Sequence, residues 1–173
     1  MKTVTYPLRN AVIGILSDTH IPARARVLPP QIFSVFAGVS LILHAGDIEH
    51  ENVLLELEAL APVEAVAGNM DPPELKTRLG MAKIVSFSGA SLGLFHGYGA
   101  PGASVQRALE QFRSHDVNAV VFGHTHEPRV EERVGLLIIN PGSVSDPRRG
   151  SKPSCALLHL DNEKMQGEII FLV

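Results

Sequence analysis

The sequence is short of the residues that most often staple a chain together or read nucleic acid. It has one cysteine, Cys155, which excludes an intrachain disulfide and a thiolate-based zinc site. Cys155 lies in the apolar run Cys155-Ala156-Leu157-Leu158 and reads as a buried small hydrophobe rather than a reactive thiol. Tryptophan is absent, and Tyr6 and Tyr98 are the two tyrosines, so no strip of interleaved basic and aromatic residues is available to stack single-stranded nucleic acid. The net charge of −3 offers no general attraction for a polyanion either. A small phosphate ester remains compatible with that charge, because bound cations would make a pocket locally positive. No apolar run approaches the roughly 20 residues of a membrane-spanning helix. The polar residues 1–9 and the short apolar run 11–16 do not read as a signal peptide, and the expected location is the cytoplasm.

A length of 173 residues predicts one domain, residues 1–173, able to bury a core. Residues 11–16, 41–43, 63–67, 84–87, 92–95 and 119–122 have the length and composition of strands. Helices are expected at 31–37, which follows Pro29-Pro30, at 51–60, with Val53, Leu54, Leu57 and Leu60 at helical spacing, and at 104–113. This alternation indicates βαβ units and a largely parallel sheet. After His126 the pattern changes to strands at 129–134, 136–140, 154–160 and 168–173, turning at Gly135 and Asp161-Asn162, which reads as antiparallel. Gly89-Ala90 marks a further hairpin. Residues 141–153 form a long loop rich in glycine and proline, of the kind that is often functional.

Five polar motifs each follow an apolar run: Asp18-Thr19-His20, Gly46-Asp47, Gly68-Asn69, His96-Gly97 and Gly123-His124-Thr125-His126. In open α/β sheets, ligand sites form at the carboxyl ends of strands. Any one motif alone is a turn or a surface histidine; their convergence is the signal. Together they supply two carboxylates, one amide and four imidazoles, a donor set for two divalent ions. In an extended backbone Asp18 and His20 would project to one side, as would His124 and His126. The glycines before Asp47, Asn69 and His124 would allow tight turns.

These motifs, in this order, resemble those of the calcineurin-like metallophosphoesterases, and Asn140-Pro141-Gly142-Ser143 extends the likeness. The small size resembles the single-domain prokaryotic phosphodiesterase branch. The resemblance implies an α/β fold, an αββα sandwich of two mixed β-sheets flanked by helices. It implies two divalent ions, Mn²⁺ first, with Ni²⁺, Co²⁺, Fe²⁺ or Zn²⁺ as the other candidates. One ion would take Asp18, His20, Asp47 and His126, the other Asp47, Asn69, His96 and His124, with Asp47 bridging. A hydroxide shared by the ions would attack phosphorus in line, so Asp47, Asn69 and His124 are the catalytic candidates and Ser17, Ser143 and Ser145 have no covalent role. The implied substrate is a small or activated phosphate diester. A phosphomonoester or a cyclic nucleotide is the alternative, and homodimers or homotetramers are the implied assemblies. The fold also serves as a protein-interaction scaffold in a trafficking coat whose subunit has lost ligands; the complete ligand set here favours an enzyme.

The sequence departs from the family at Gly68-Asn69-Met70-Asp71, where many members carry histidine at the position of Met70. Methionine cannot protonate a leaving group, which favours substrates with good leaving groups. Asp71-Pro72-Pro73-Glu74 reads as a helix N-cap with a capping-box glutamate. His44 reads as a core histidine behind the site, and His50 as a solvated loop residue. His115 and His159 have no argument for a site. Arg24, Arg148 and Tyr98 are candidate substrate contacts, the arginines for phosphate and the tyrosine for an aromatic leaving group. Arg26 and Arg149 are further cations in the same loops.

Overall fold

The computed structural model describes residues 1–172 of the chain. Among the described residues eleven strands form two sheets. In chain order they are β1 (Lys2–Thr5), β2 (Asn10–Leu16), β3 (Leu41–His44), β4 (Val63–Ala65), β5 (Ala82–Ser86), β6 (Ser91–Phe95), β7 (Ala119–Phe122), β8 (Arg129–Arg133), β9 (Leu136–Asn140), β10 (Ser154–Asp161) and β11 (Lys164–Phe171). The helices are α1 (Gln31–Val35), α2 (Asn52–Glu58), α3 (Pro73–Leu79) and α4 (Ser104–Phe112). One sheet has the order β1-β5-β6-β7-β9-β8, the other β11-β10-β2-β3-β4. The helical crossovers produce the parallel runs β2-β3-β4 and β6-β7, and β9 pairs parallel with β7. The last third supplies the antiparallel pairs β8-β9, β10-β11 and β10-β2.

Period-two alternation divides each strand between two layers. Ile13, Ile15, Leu41 and Leu43 meet Leu92, Leu94, Val121 and Ile139 in the core between the sheets. The opposite face of the five-stranded sheet packs Ile42 and Ala65 against Ile32, Phe36, Leu54, Leu57 and Leu75 of the α1–α3 segments. The opposite face of the six-stranded sheet packs Phe95, Val120, Phe122 and Ile138 against Ala108 and Phe112 of α4. The result is the expected αββα sandwich. Cys155 is buried, and burial pushes its thiol up to about 12. Among the described residues no helix is long and apolar enough to cross a membrane.

Three local features differ from the sequence expectation. Strand β1 falls in the polar segment 1–9; it is an edge strand whose one buried-facing residue, Val4, gives too little periodicity to read. Strand β4 stops at Ala65, because Val66 already turns into the loop that carries Asn69. Strand β11 starts at Lys164, four residues before the expected point, and alternates exposed and half-buried positions as a sheet edge does.

Each sheet seats one aromatic ring on a glycine. The Phe36 ring covers Gly14 of β2, and the Phe112 ring covers Gly93 of β6. A Cβ at position 93 would stand 2.5 Å from the Phe112 ring, inside van der Waals contact. Gly93→Ala is therefore expected to destabilise the protein by about 1–3 kcal/mol in urea unfolding, as overpacking does. Adding Phe112→Leu should recover part of that loss, and an unchanged midpoint in the single variant would refute the packing argument.

Candidate metal centre

The loops after β2, β3, β4, β6, β7 and β9 all emerge at one end of the sandwich, because these strands run parallel within their sheets. Each motif lies in one of these loops. Asp18, His20, Asp47, His96 and His126 are buried, His124 is half-buried and Asn69 is exposed, so the cluster opens to solvent on its Asn69–His124 side.

The two carboxylates divide their oxygens alike. Asp18 Oδ2 accepts the His124 backbone N–H at 3.0 Å, and Asp47 Oδ1 accepts the Met70 backbone N–H at 2.7 Å. The other oxygen of each faces inward. Asp18 Oδ1 is buried and accepts no hydrogen bond, although Nε2 of His126, His20 and His96 stand 3.1, 3.9 and 4.0 Å away. Asp47 Oδ2 lies 3.2 Å from His96 Nε2 and 3.6 Å from His20 Nε2. Asn69 Oδ1 completes the inward set, 3.2 Å from His96 Nε2 and 3.0 Å from His124 Nδ1.

Each imidazole is fixed from outside. His20 Nδ1 donates to Glu49 Oε1 at 2.7 Å, His96 Nδ1 to the Ala45 carbonyl at 2.7 Å and His126 Nδ1 to the Asp146 carbonyl. His124 is reversed, with Nε2 donating to the Gly99 carbonyl at 2.8 Å. The acceptor on one nitrogen holds a proton there, so the other nitrogen is the one that faces inward, where it can give its lone pair to a cation or carry a proton toward the carboxylates. His20 Nε2 and His126 Nε2 then face each other at 3.3 Å, close enough to share a proton or to flank a cation. Asp18, His20 and His126 form one group that could hold a metal ion, and Asp18, Asp47 and His96 another. Imidazole mixed with hard oxygen suits divalent Mn, Fe, Co, Ni or Zn. His126 stands with Asp18 and His20, whereas His124 stands with Asn69 and His96.

The electrostatics of the protein alone point the same way. Burial works to raise the Asp18 pKa, but the His126 contact and the neighbouring imidazoles outweigh it and hold the carboxyl at about 2. Asp47 is likewise lowered, burial being outweighed by His96. Burial works to lower His96, but Asp47 and Asp18 raise it to about 9, and Asp18 raises His126 in the same way. The carboxylates stay charged and demand positive charge around them.

The backbone is not extended here, so same-side projection along a strand is not what brings the motif residues together. Asp18, His20, Asp47, Glu49, His124 and His126 all have positive φ, between 45° and 73°. A left-handed non-glycine residue costs of order 1 kcal/mol or more, and such residues gather at functional sites. Of the preceding glycines only Gly46, at φ 95°, makes a left-handed turn; Gly68 and Gly123 instead provide room, since a Cβ there would collide with the Asp47 carboxylate and with Ser17.

The strain is held by neighbouring loops. Asp71 is not the N-cap of α3: Pro72 takes that place without a side-chain bond. The buried Asp71 carboxylate instead accepts four backbone N–H groups, from Asp47 at 3.1 Å, Ile48 at 2.7 Å, Glu49 at 2.6 Å and Gly68 at 2.7 Å. It binds the Asp47 loop to the Asn69 loop. Ser143 Oγ donates to the Asp18 carbonyl at 2.7 Å and Ser145 Oγ to the Thr19 carbonyl at 2.6 Å. Asn140 Nδ2 donates to the Gly123 carbonyl and to Thr125 Oγ1, both at 3.0 Å. Glu49, Asp146 and the true role of Asp71 were not legible as site features; only the Asn140-to-Ser143 run carried a sequence signal.

His44 lies behind the centre. Its Nδ1 accepts the Gly46 N–H at 3.1 Å, and its Nε2 donates to Thr19 Oγ1 at 3.2 Å. Burial drives its pKa down to about 3. His50 is exposed, as expected. Arg24 and Arg148 approach Asp146, Arg149 pairs with Glu127 at 2.7 Å, and the exposed Tyr98 carries the Arg107 guanidinium 5.1 Å from its ring centroid.

Asp71→Asn leaves one acceptor oxygen where two served four donors, and is expected to cost about 2–4 kcal/mol in urea unfolding; a change within about 0.5 kcal/mol would refute the binding role. For His44 the folded pKa lies below the unfolded value of about 6.5. Its stabilisation is therefore present above pH 6.5 and is lost as pH falls toward 3. Chelator-treated protein should lose about 2 kcal/mol from this group between pH 6.5 and 5. His44→Gln should reduce that slope by about one proton, and an identical slope in the variant would exclude His44 as the source.

Residues 12–163 match the Calcineurin-like phosphoesterase superfamily domain. A probable metallophosphoesterase of Methanothermobacter thermautotrophicus is 39% identical over 159 residues, covering 92% of this chain and 91% of that protein. A phosphodiesterase of Methanocaldococcus jannaschii is 30% identical over 172 residues, covering 92% of this chain and 98% of that protein. Among solved structures, Vacuolar Protein Sorting 29 from Cryptosporidium parvum has a TM-score of 0.81 at 24% identity, covering 96% of this chain and 93% of that one, a likeness of fold. The matched segment contains every loop of the centre, and the chain belongs to the calcineurin-like phosphoesterase superfamily.

Proposed function

We propose that residues 1–173 form one metallophosphoesterase domain that hydrolyses small or activated phosphate diesters at a two-metal centre. The observation that carries this is the buried Asp18 Oδ1, which accepts no hydrogen bond although it faces three imidazoles whose Nδ1 atoms are all held by acceptors outside the cluster. That set fits divalent cations and has no structural need in their absence. Asp18, His20 and His126 would hold one ion and Asn69, His96 and His124 the other, with Asp47 between them. Mn²⁺ is the ion we favour. When bound, two such ions supply positive charge for a phosphate oxyanion and a water acidified toward neutral pH.

The chain's own residues do the rest. Asp47 is held by the Met70 N–H on one oxygen and keeps the other aimed inward. Asn69 uses Oδ1 inward and leaves its amide donors on the exposed side, where a phosphate oxygen would arrive. His124 is oriented by the Gly99 carbonyl and forms the other wall of that opening. Met70 and Tyr98 are both more than half exposed beside it and would meet the organic part of the ester. Arg24 and Arg148 are the cationic contacts. The Met70 side chain cannot protonate the departing oxygen, which favours diesters with good leaving groups. The phosphodiesterase relative at 30% identity supports the preference for diesters. A non-catalytic scaffold is disfavoured, because six strained residues and seven inward donors serve no docking surface.

The test is hydrolysis of a chromogenic phosphodiester beside its matching monoester. Chelator-stripped protein receives Mn²⁺, Ni²⁺, Co²⁺, Zn²⁺ or Mg²⁺ in turn. Diester cleavage should return with metal and exceed monoester cleavage, and Asp47→Ala should remain at the metal-free level while keeping its circular dichroism. Full activity in Asp47→Ala, or no activity from folded, metal-loaded wild type, would overturn the proposal.

A further inference from the structure

Asp146, in the loop after β9, is fixed by its backbone. Its N–H donates to Ser143 Oγ at 2.9 Å, and its carbonyl accepts the His126 Nδ1 proton. Its carboxylate Oδ2 lies 3.4 Å from that same nitrogen. Two guanidinium groups from different loops converge on this one oxygen, Arg24 Nε at 3.7 Å and Arg148 Nη2 at 3.6 Å. Neither reaches hydrogen-bond distance. The pairs Arg78–Glu51, Arg113–Glu110, Arg133–Glu131 and Arg149–Glu127 all close to 2.7–2.9 Å.

Two cations on one anion leave a charge of +1 at the rim of the centre. The Arg24 and Arg148 side chains are 60% and 48% exposed, so their N–H groups face water. An exposed ion pair of this length contributes little. A phosphate loses little by drawing the two arginines toward itself, and gains charge-assisted, planar contacts. Arg26 points elsewhere, into a surface hollow with Pro22, Val53 and Glu56.

We propose that Arg24 and Arg148, held at Asp146, form a second phosphate subsite beside the centre, so that the preferred substrates are phosphate esters bearing a further phosphate on the group joined to the scissile one. The inference rests on the phosphoesterase proposal above and supplies its substrate class. The contacts from Asp146 to His126 place this subsite against the closed, His126 side of the centre. The open side keeps Met70 and Tyr98 for the other ester group. A diester would then lie across the cluster with its charged arm toward the arginines and its leaving group toward the apolar residues.

Binding can be read apart from catalysis. Mn²⁺-loaded protein is titrated calorimetrically with alkanediol bisphosphates of graded length and with the matching alkyl monophosphates. At one length the bisphosphate should bind about tenfold more tightly than its monophosphate. The double variant Arg24→Ala/Arg148→Ala should lose that ratio while keeping its fold by circular dichroism. A wild type with no bisphosphate advantage at any length, or a double variant that retains it, overturns the subsite. Hydrolysis of the simple chromogenic diester by wild type is scored separately, so failure of the phosphoesterase proposal is distinguishable from failure of the subsite.

Discussion

Electron pairs aimed at one another are the constraint around which this structure is arranged. Two buried carboxylate oxygens, an amide oxygen and four imidazole nitrogens face inward, and two of the imidazole nitrogens stand 3.3 Å apart. Left to themselves such groups would turn away or take up protons. They are kept in place by what sits on their outer atoms: Glu49, the carbonyls of Ala45, Gly99 and Asp146, and the N–H groups of Met70 and His124. Low exposure strengthens the pull between the carboxylates and any cation among them. The raised pKa values of His96 and His126 are the protein's own expression of that pull.

The outer contacts also join the two sheets. Asp18 follows β2 in one sheet and reaches the backbone of His124, which follows β7 in the other. His96, after β6, reaches the Ala45 carbonyl after β3. At a sheet edge the sandwich is closed differently, by Glu64 of β4 accepting from the Tyr6 hydroxyl at 2.9 Å and from Lys83 Nζ of β5 at 2.8 Å. Burial and that glutamate push the Tyr6 pKa up to about 12, so the hydroxyl keeps its proton. Between these polar closures the core is apolar throughout, and its packing is set by alternate residues of both sheets. The left-handed residues of the centre cost of order 1 kcal/mol or more each, and the core with these cross-sheet bonds sustains them.

Periodicity carried most of the architecture. Strands β2, β3, β6 and β7 are short apolar runs ending in polar motifs, and α4 buries Ser104, Ala108 and Phe112 at a spacing of four. Such signals survive in a single sequence because burial repeats along them. The motif residues were visible for a related reason: histidine and aspartate directly after a buried strand have few other uses in combination. What was not visible has no period. Strand β1 is an edge with one inward residue. Asp71 looks like a helix cap because a capping aspartate and an aspartate that gathers four amides from other loops share the same local sequence. Glu49 and Asp146 are acids in loops, and only the fold brings them to His20 and His126. The left-handed backbone was hidden because aspartate and histidine tolerate φ > 0 without requiring it.

Position 70 shows how such a rigid centre leaves its chemistry open to change. The Met70 backbone N–H is fixed on Asp47 Oδ1 at 2.7 Å, while its side chain is 58% exposed. The bond that orients the carboxylate therefore does not depend on the side chain, and histidine or methionine serves it equally. Changing that side chain alters what lines the open side without disturbing the donors beneath. A similar division holds across the cluster, where Asp146 orients His126 through its carbonyl while its carboxylate also faces the arginines. Backbone groups and buried side chains such as Asp71 set the centre, and exposed side chains at its rim set what reaches it, so the rim can change while the inward donor set stays fixed.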